Sequence, residues 1–124
     1  MRPGRAGDGR IKVQVTHFVV LNEQGPGWIL GTPMRGQAQW TEHAQFVNRL
    51  VKDRFILLAG PLPARPSHTA LLIVQGNTES EVRTTLADDP WLRSGILVIR
   101  SIEPWEILAS HDLFDPVLSE LARR

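Results

Sequence analysis

The element order strand, helix, strand, strand, helix, strand predicts an α+β domain of ferredoxin-like βαββαβ architecture, with both helices on one face of an antiparallel four-stranded sheet. Three observations carry that reading. Four apolar, β-branched stretches alternate with two helical patterns in that order. The second and third strands are joined by a Pro-rich loop and no helix. At 124 residues and 42% hydrophobic content the chain suits one core of ordinary size.

Taken in order, residues 1–10, "MRPGRAGDGR", are rich in Gly and Arg, lack apolar content and read as a disordered tail. From Lys12 to Leu21 the residues Val13, Val15, Val19 and Leu21 share one face of a strand with His17 between them, while Phe18 and Val20 point the other way. "NEQGPGWILGTPMRGQ" carries four glycines and two prolines and reads as a long loop of functional type. A helix is predicted over Gln39 to Asp53, with Trp40, His43, Ala44, Val47, Leu50 and Val51 on one face.

"RFILLAGPL" is then a strand ending at Gly60-Pro61, and "TALLIVQG" follows after the loop "PARPSH". "TESE", Thr78 to Glu81, has capping-box form and opens a second helix. That helix is expected to stop near Asp88, because a residue before proline is pushed out of the helical region. On this reading Asp88 and Asp89 close the helix at its negative end, at a cost of about 0.3–1 kcal/mol each when exposed. "GILVIRSIEPWEIL" is the last strand, and Asp115-Pro116 opens a short C-terminal helix. The domain limits are therefore 1–10 tail, 11–108 folded domain and 109–124 extension. The apolar residues of the C-terminal segment, Leu108, Leu113, Phe114, Leu118 and Leu121, are expected to dock it on the domain or on a second copy.

Composition narrows the function. A net charge of +1 and a pI near 8.4 give no electrostatic reason for a nucleic-acid or membrane partner. No cysteine is present, which removes disulfides, thiolate metal sites and cysteine nucleophiles. No run approaches a membrane span, and no apolar segment of signal-peptide type follows the basic start, so a cytoplasmic protein is expected. The four histidines lack H-x-H and H-E-x-x-H spacing, so no protein-built metal site is expected. Nor is there a Walker pattern, a G-x-G-x-x-G motif or a nucleophile elbow. The sheet face opposite the helices needs cover, and a second copy of the chain is the expected cover, giving a homodimer or higher even oligomer.

His43 stands out because it lies on an apolar helical stripe. One reading is a partly buried neutral imidazole bonded to backbone; the other is a proton-transfer group. The second needs a partner to fix its tautomer, and Asp89, on the other helix of the same layer, would supply one. Asp89 otherwise reads as the start of an Asp-Pro turn. His17 either lines a pocket or is merely packed in its strand, and His68 and His111 read as surface residues. Trp40, Trp91 and Trp105 are core residues by default, with Trp40 and Trp91 candidates for the wall of a flat apolar pocket.

"TEHAQFVNRL", "LLAGPL", "LADDPWLRSGI" and "IEPWEIL" resemble, in order and spacing, the successive blocks of the YCII-related family, over Val13 to Leu108. The resemblance implies a ferredoxin-like domain that dimerises into an α/β barrel and a His–Asp dyad, which maps onto His43 and Asp89. One kind of member is a dehydrochlorinase acting on a chlorinated hydroxyhydroquinone. Members often carry arginine three residues before the histidine, where Trp40 stands here. The expectation is a small enzyme of lyase or isomerase type. It would need no cofactor and act on a small, partly apolar substrate held by Trp40, Trp91 and His17. A non-catalytic ligand-binding or accessory module is the first alternative. A monooxygenase or haem-associated protein, with His17 or His43 as axial ligand, is the second.

Overall fold

The computed structural model describes residues 16–115; the expected tail 1–10, the start of the first strand and the helix from Pro116 lie outside the described residues. Four strands form one antiparallel sheet: β1 (Thr16–Gln24), β2 (Ile56–Pro61), β3 (Thr69–Gly76) and β4 (Leu97–Trp105), in the order β2-β3-β1-β4. Helix α1 (Trp40–Lys52) links β1 to β2, while α2 (Glu79–Leu86) and the single turn α3 (Pro90–Arg93) link β3 to β4. This is the ferredoxin-like arrangement. The central pair β1 and β3 places Phe18, Val20 and Asn22 opposite Val74, Leu72 and Ala70 on the helix side. Alternation puts His17, Val19 and Leu21 on the other face, opposite Gln75, Ile73 and Leu71.

The main core fills the helix side with Phe18, Val20, Ile56, Leu72, Val74, Val82, Leu86 and Ile102. A second cluster of Trp91, Ile96 and Leu97 gathers Trp28, Met34 and Trp40 around it. The buried stripe of α1 differs from the predicted one. Phe46 is its most buried residue, and Val51, expected in the core, is exposed. The rest of the expected stripe holds: Val47 and Leu50 pack against the core, and His43 faces the sheet beside them. Trp105, expected in the core, is also exposed, because its register opposite His17 puts it on the face away from the helices.

The second helical segment differs more. It ends at Leu86, and Asp89 begins a new helix instead of closing the old one. Its carboxylate Oδ1 accepts the Trp91 backbone N–H at 2.9 Å, with Pro90 at the first helical position. That is an N-cap, where a carboxylate is favoured by the orphan N–H groups and by the helix dipole. The predicted electrostatic penalty at Asp89 therefore has the wrong sign. Asp88 is exposed and pairs with Arg93 at 2.9 Å. At α2, Thr78 caps as expected by accepting from the Glu81 N–H, but Glu81 reaches back to the N–H of Asn77, one residue beyond the usual partner.

The loop after β1 is pinned. Gly25 and Gly27 donate their N–H groups to the carbonyls of Ile96 and Gly95, each at 2.8 Å. A Cβ at Gly25 would run into the Gly95 carbonyl, so this glycine permits backbone-to-backbone contact and not phosphate binding. Gln37, buried, clamps the rest of the loop: its side chain accepts from Ile29 N–H and donates to the carbonyls of Ile29 and Thr32. Ile107–Asp115 belong to a different unit from Thr16–Glu106, and there Asp112–Phe114 make a 3-10 turn capped by the His111 ring.

Candidate active site

A cavity of about 290 Å³ opens between α1 and the sheet, where the two apolar clusters meet. Its walls are mainly apolar, from Phe46, Val47, Ile56, Leu72 and Leu97 among others. Three titratable side chains line it among the described residues: His43, Asp89 and His68. The cavity lies at the small end of small-molecule sites, and its few polar groups amid apolar wall fit that class.

His43 sits in the first turn of α1 and Asp89 at the cap of α3, and the packing of these helices brings them together. His43 Nδ1 lies 2.9 Å from both carboxylate oxygens of Asp89. The pair is shielded, with side chains 13% and 6% exposed. The carboxylate is itself held by the Trp91 N–H, so the cap fixes the very group that orients the imidazole. An ionised carboxylate only accepts, so Nδ1 carries the proton and the neutral ring keeps its lone pair on Nε2.

Trp91 completes the support. Its ring is fully buried and parallel to His43, with centroids 3.9 Å apart and planes 6° from each other. The imidazole is thus held between an indole face and a carboxylate. The indole is itself fixed by a hydrogen bond from Nε1 to the Ala38 carbonyl at 2.6 Å. Trp40 tilts against both rings, with centroids 5.8 Å from His43 and 5.6 Å from Trp91, and Arg35 lies over its outer face.

Of the residues singled out in the sequence, His43, Asp89, Trp40 and Trp91 come together around one cavity. His17 does not join them. Its Nε2 bonds to Gln75 Oε1 at 3.0 Å on the opposite face of the sheet, as strand alternation requires. The assignment of His17 to the substrate pocket is corrected on that ground.

No protein-family model matches the chain, and no curated protein matches it. Among solved structures, 5-chloro-2-hydroxyhydroquinone dehydrochlorinase (TftG) from Burkholderia phenoliruptrix AC1100, in complex with 2,5-dihydroxybenzoquinone, is similar to this chain. The match covers 76% of this chain and 95% of that one, at 16% identity and a TM-score of 0.49.

Three further residues of the site escaped sequence reading. Trp28, in the Gly/Pro loop, packs edge-on against Trp91 at 5.8 Å. His68, read as a surface residue, lines the cavity and stacks on Trp28 with centroids 4.4 Å apart. Burial, and then the nearby His43, hold its imidazole below the ordinary histidine value of 6.5. Asn22 lies in the cavity wall with its Oδ1 buried and, among the described residues, without a hydrogen-bond partner. It adjoins a register shift between β1 and β4, the kind of irregularity that re-aims a side chain. A polar residue on the inward face of an apolar strand was the available signal for Asn22; for His68 and Trp28 the signal is tertiary.

Proposed function

We propose that the chain is an acid/base enzyme of lyase or isomerase type in which His43 Nε2 removes a proton from carbon on a small, partly apolar substrate. Asp89 orients the ring and stabilises its charged form, and Trp40 and Trp91 wall the substrate. The observation that carries this reading is the buried Nδ1–carboxylate contact beside a mainly apolar cavity. Such a base works by proton transfer alone, and no cofactor is part of the proposal. Membership of the YCII-related family is part of the same proposal. It is supported by the order of the sequence blocks and by the meeting of the two residues to which the dyad maps.

The assembly is proposed to be a homodimer or higher even oligomer, acting in the cytoplasm. The sheet face away from the helices carries Val19, Leu21, Leu71 and Ile73, flanked by exposed Leu58, Val98 and Trp105. An apolar face of that kind marks an association surface. Light scattering at micromolar concentration is expected to give at least twice the chain mass, and a clean monomer contradicts this part.

The chemical test needs no knowledge of the natural substrate. 5-Nitrobenzisoxazole, a planar apolar carbon acid, opens to a coloured phenolate when a base removes its ring C–H. The wild-type protein is expected to catalyse this opening with saturation, and His43→Gln to lower its turnover by about 10²–10⁴-fold. Saturable binding with no turnover would favour the non-catalytic ligand-binding module.

A further inference from the structure

The cavity holds a second imidazole that the proton-abstraction scheme leaves unused. His68 belongs to the loop between β2 and β3, yet its backbone is fixed: its carbonyl accepts from Gln24 N–H at 3.0 Å, and its own N–H donates to Gln24 Oε1 at 3.2 Å. Its ring ends a continuous ladder of four. His43 stacks on Trp91, Trp91 meets the edge of Trp28, and Trp28 stacks on His68. The two imidazoles thus stand at the two ends of one aromatic wall and both line the same cavity.

Resting on the reading of His43 as base, we propose that His68 is a catalytic hydrogen-bond donor, a neutral imidazole whose N–H binds the substrate oxygen on which negative charge develops. The substrate class follows: a compact carbon acid whose electrons can flow onto oxygen, such as a carbonyl compound with an α-hydrogen. His43 Nε2 takes the α-proton, the C–H pair becomes a C=C bond, and the carbonyl π pair moves to oxygen as an enolate held by His68. Return of the proton at another carbon gives an isomer; expulsion of a β-leaving group with its electron pair gives an elimination. Neither route needs a co-reactant.

The surroundings of the two rings differ. His43 lies between the Asp89 carboxylate and the Trp91 face, whereas desolvation and the nearby His43 disfavour charge on His68. A ring held neutral keeps an N–H that can donate to oxygen. Among the described residues, the other titratable groups of the lining are His43 and Asp89 alone.

The test uses ring-substituted benzisoxazoles that differ in the acidity of the phenol they release. His68→Phe keeps a ring against Trp28 and removes the N–H. It is expected to lower kcat by about 10²-fold for the least acidic leaving phenol, the scale of losing one oxyanion donor, with KM little changed. The dependence of log kcat on phenol acidity should steepen relative to wild type. His68→Gln, which restores an N–H, should recover part of the loss and decides the matter if His68→Phe fails to fold. An unchanged slope and kcat in both variants, with His43→Gln inactive, overturns the donor role and leaves the base intact. Should His43→Gln remain active, the base reading fails first and this one falls with it.

Discussion

A hydrogen-bonded histidine lies on each side of the sheet, and the two differ in what they are bonded to. On the face away from the helices, His17 meets Gln75, whose amide is in turn tied to the Arg54 carbonyl at 2.9 Å. On the helix-covered side, His43 meets Asp89, whose carboxylate is tied to a helix cap. Both rings are oriented. The second is oriented by a carboxylate and lines the cavity between α1 and the sheet. An amide fixes direction; a carboxylate fixes direction and favours proton uptake. The comparison teaches that two hydrogen-bonded histidines of one domain can differ in the chemistry their partners allow.

The largest effect that would break this contrast comes from exchanging each ring for an amide. His43→Gln is expected to lower benzisoxazole turnover by about 10²–10⁴-fold, the range of a positioned general base. His17→Gln should leave turnover unchanged. Equal losses at both positions would erase the distinction.

Asp89→Asn sharpens the contrast, because it gives His43 the kind of partner that His17 has. Asparagine caps helices about as well as aspartate, so melting should shift little while turnover falls at least about tenfold. A large loss of stability with activity retained would make Asp89 a structural cap only. Next in size, Gly25→Ala should destabilise by about 1–3 kcal/mol in a denaturant titration, since the added methyl meets the Gly95 carbonyl.

Asn22 offers the opposite sign. Its Oδ1 is buried without a partner among the described residues, an arrangement that costs about 1–3 kcal/mol. Asn22→Leu should therefore raise the melting temperature while weakening binding of ligands that donate a hydrogen bond. The smallest effect is the pH dependence. Because the fold holds His68 below its unfolded value, the unfolded chain binds more protons on acidification. That contribution is present above about pH 6.5 and is lost as pH falls below it. His68→Phe should flatten this part of the stability profile, as read by melting at stepped pH.

The sequence made β2, β3 and both main helices legible to within a residue or two, because their apolar periodicities and the Thr78 cap are local signals. The pairing of His43 with Asp89 was also legible, from a polar residue on an apolar stripe and from the block order. Asp89 itself was misplaced in energy. Periodicity alone does not show that Leu86 ends one helix and Pro90 begins another, and that break turns a penalty into a cap. His68 was invisible because a Pro-rich loop reads as solvent-exposed; its bonds to Gln24 and its stacking on Trp28, both tertiary, hold it at the cavity. His17 was legible as inward or outward only once the helix side of the sheet was known.

The most direct test of the central claim is the neutral tautomer of His43, read from ¹⁵N–¹H long-range NMR correlations and assigned by the loss of its signals in His43→Gln. The account predicts a proton on Nδ1, directed at Asp89, and an unprotonated Nε2 facing the cavity. A proton on Nε2 with a bare Nδ1 would mean that Asp89 does not hold the ring as a base, and would contradict it.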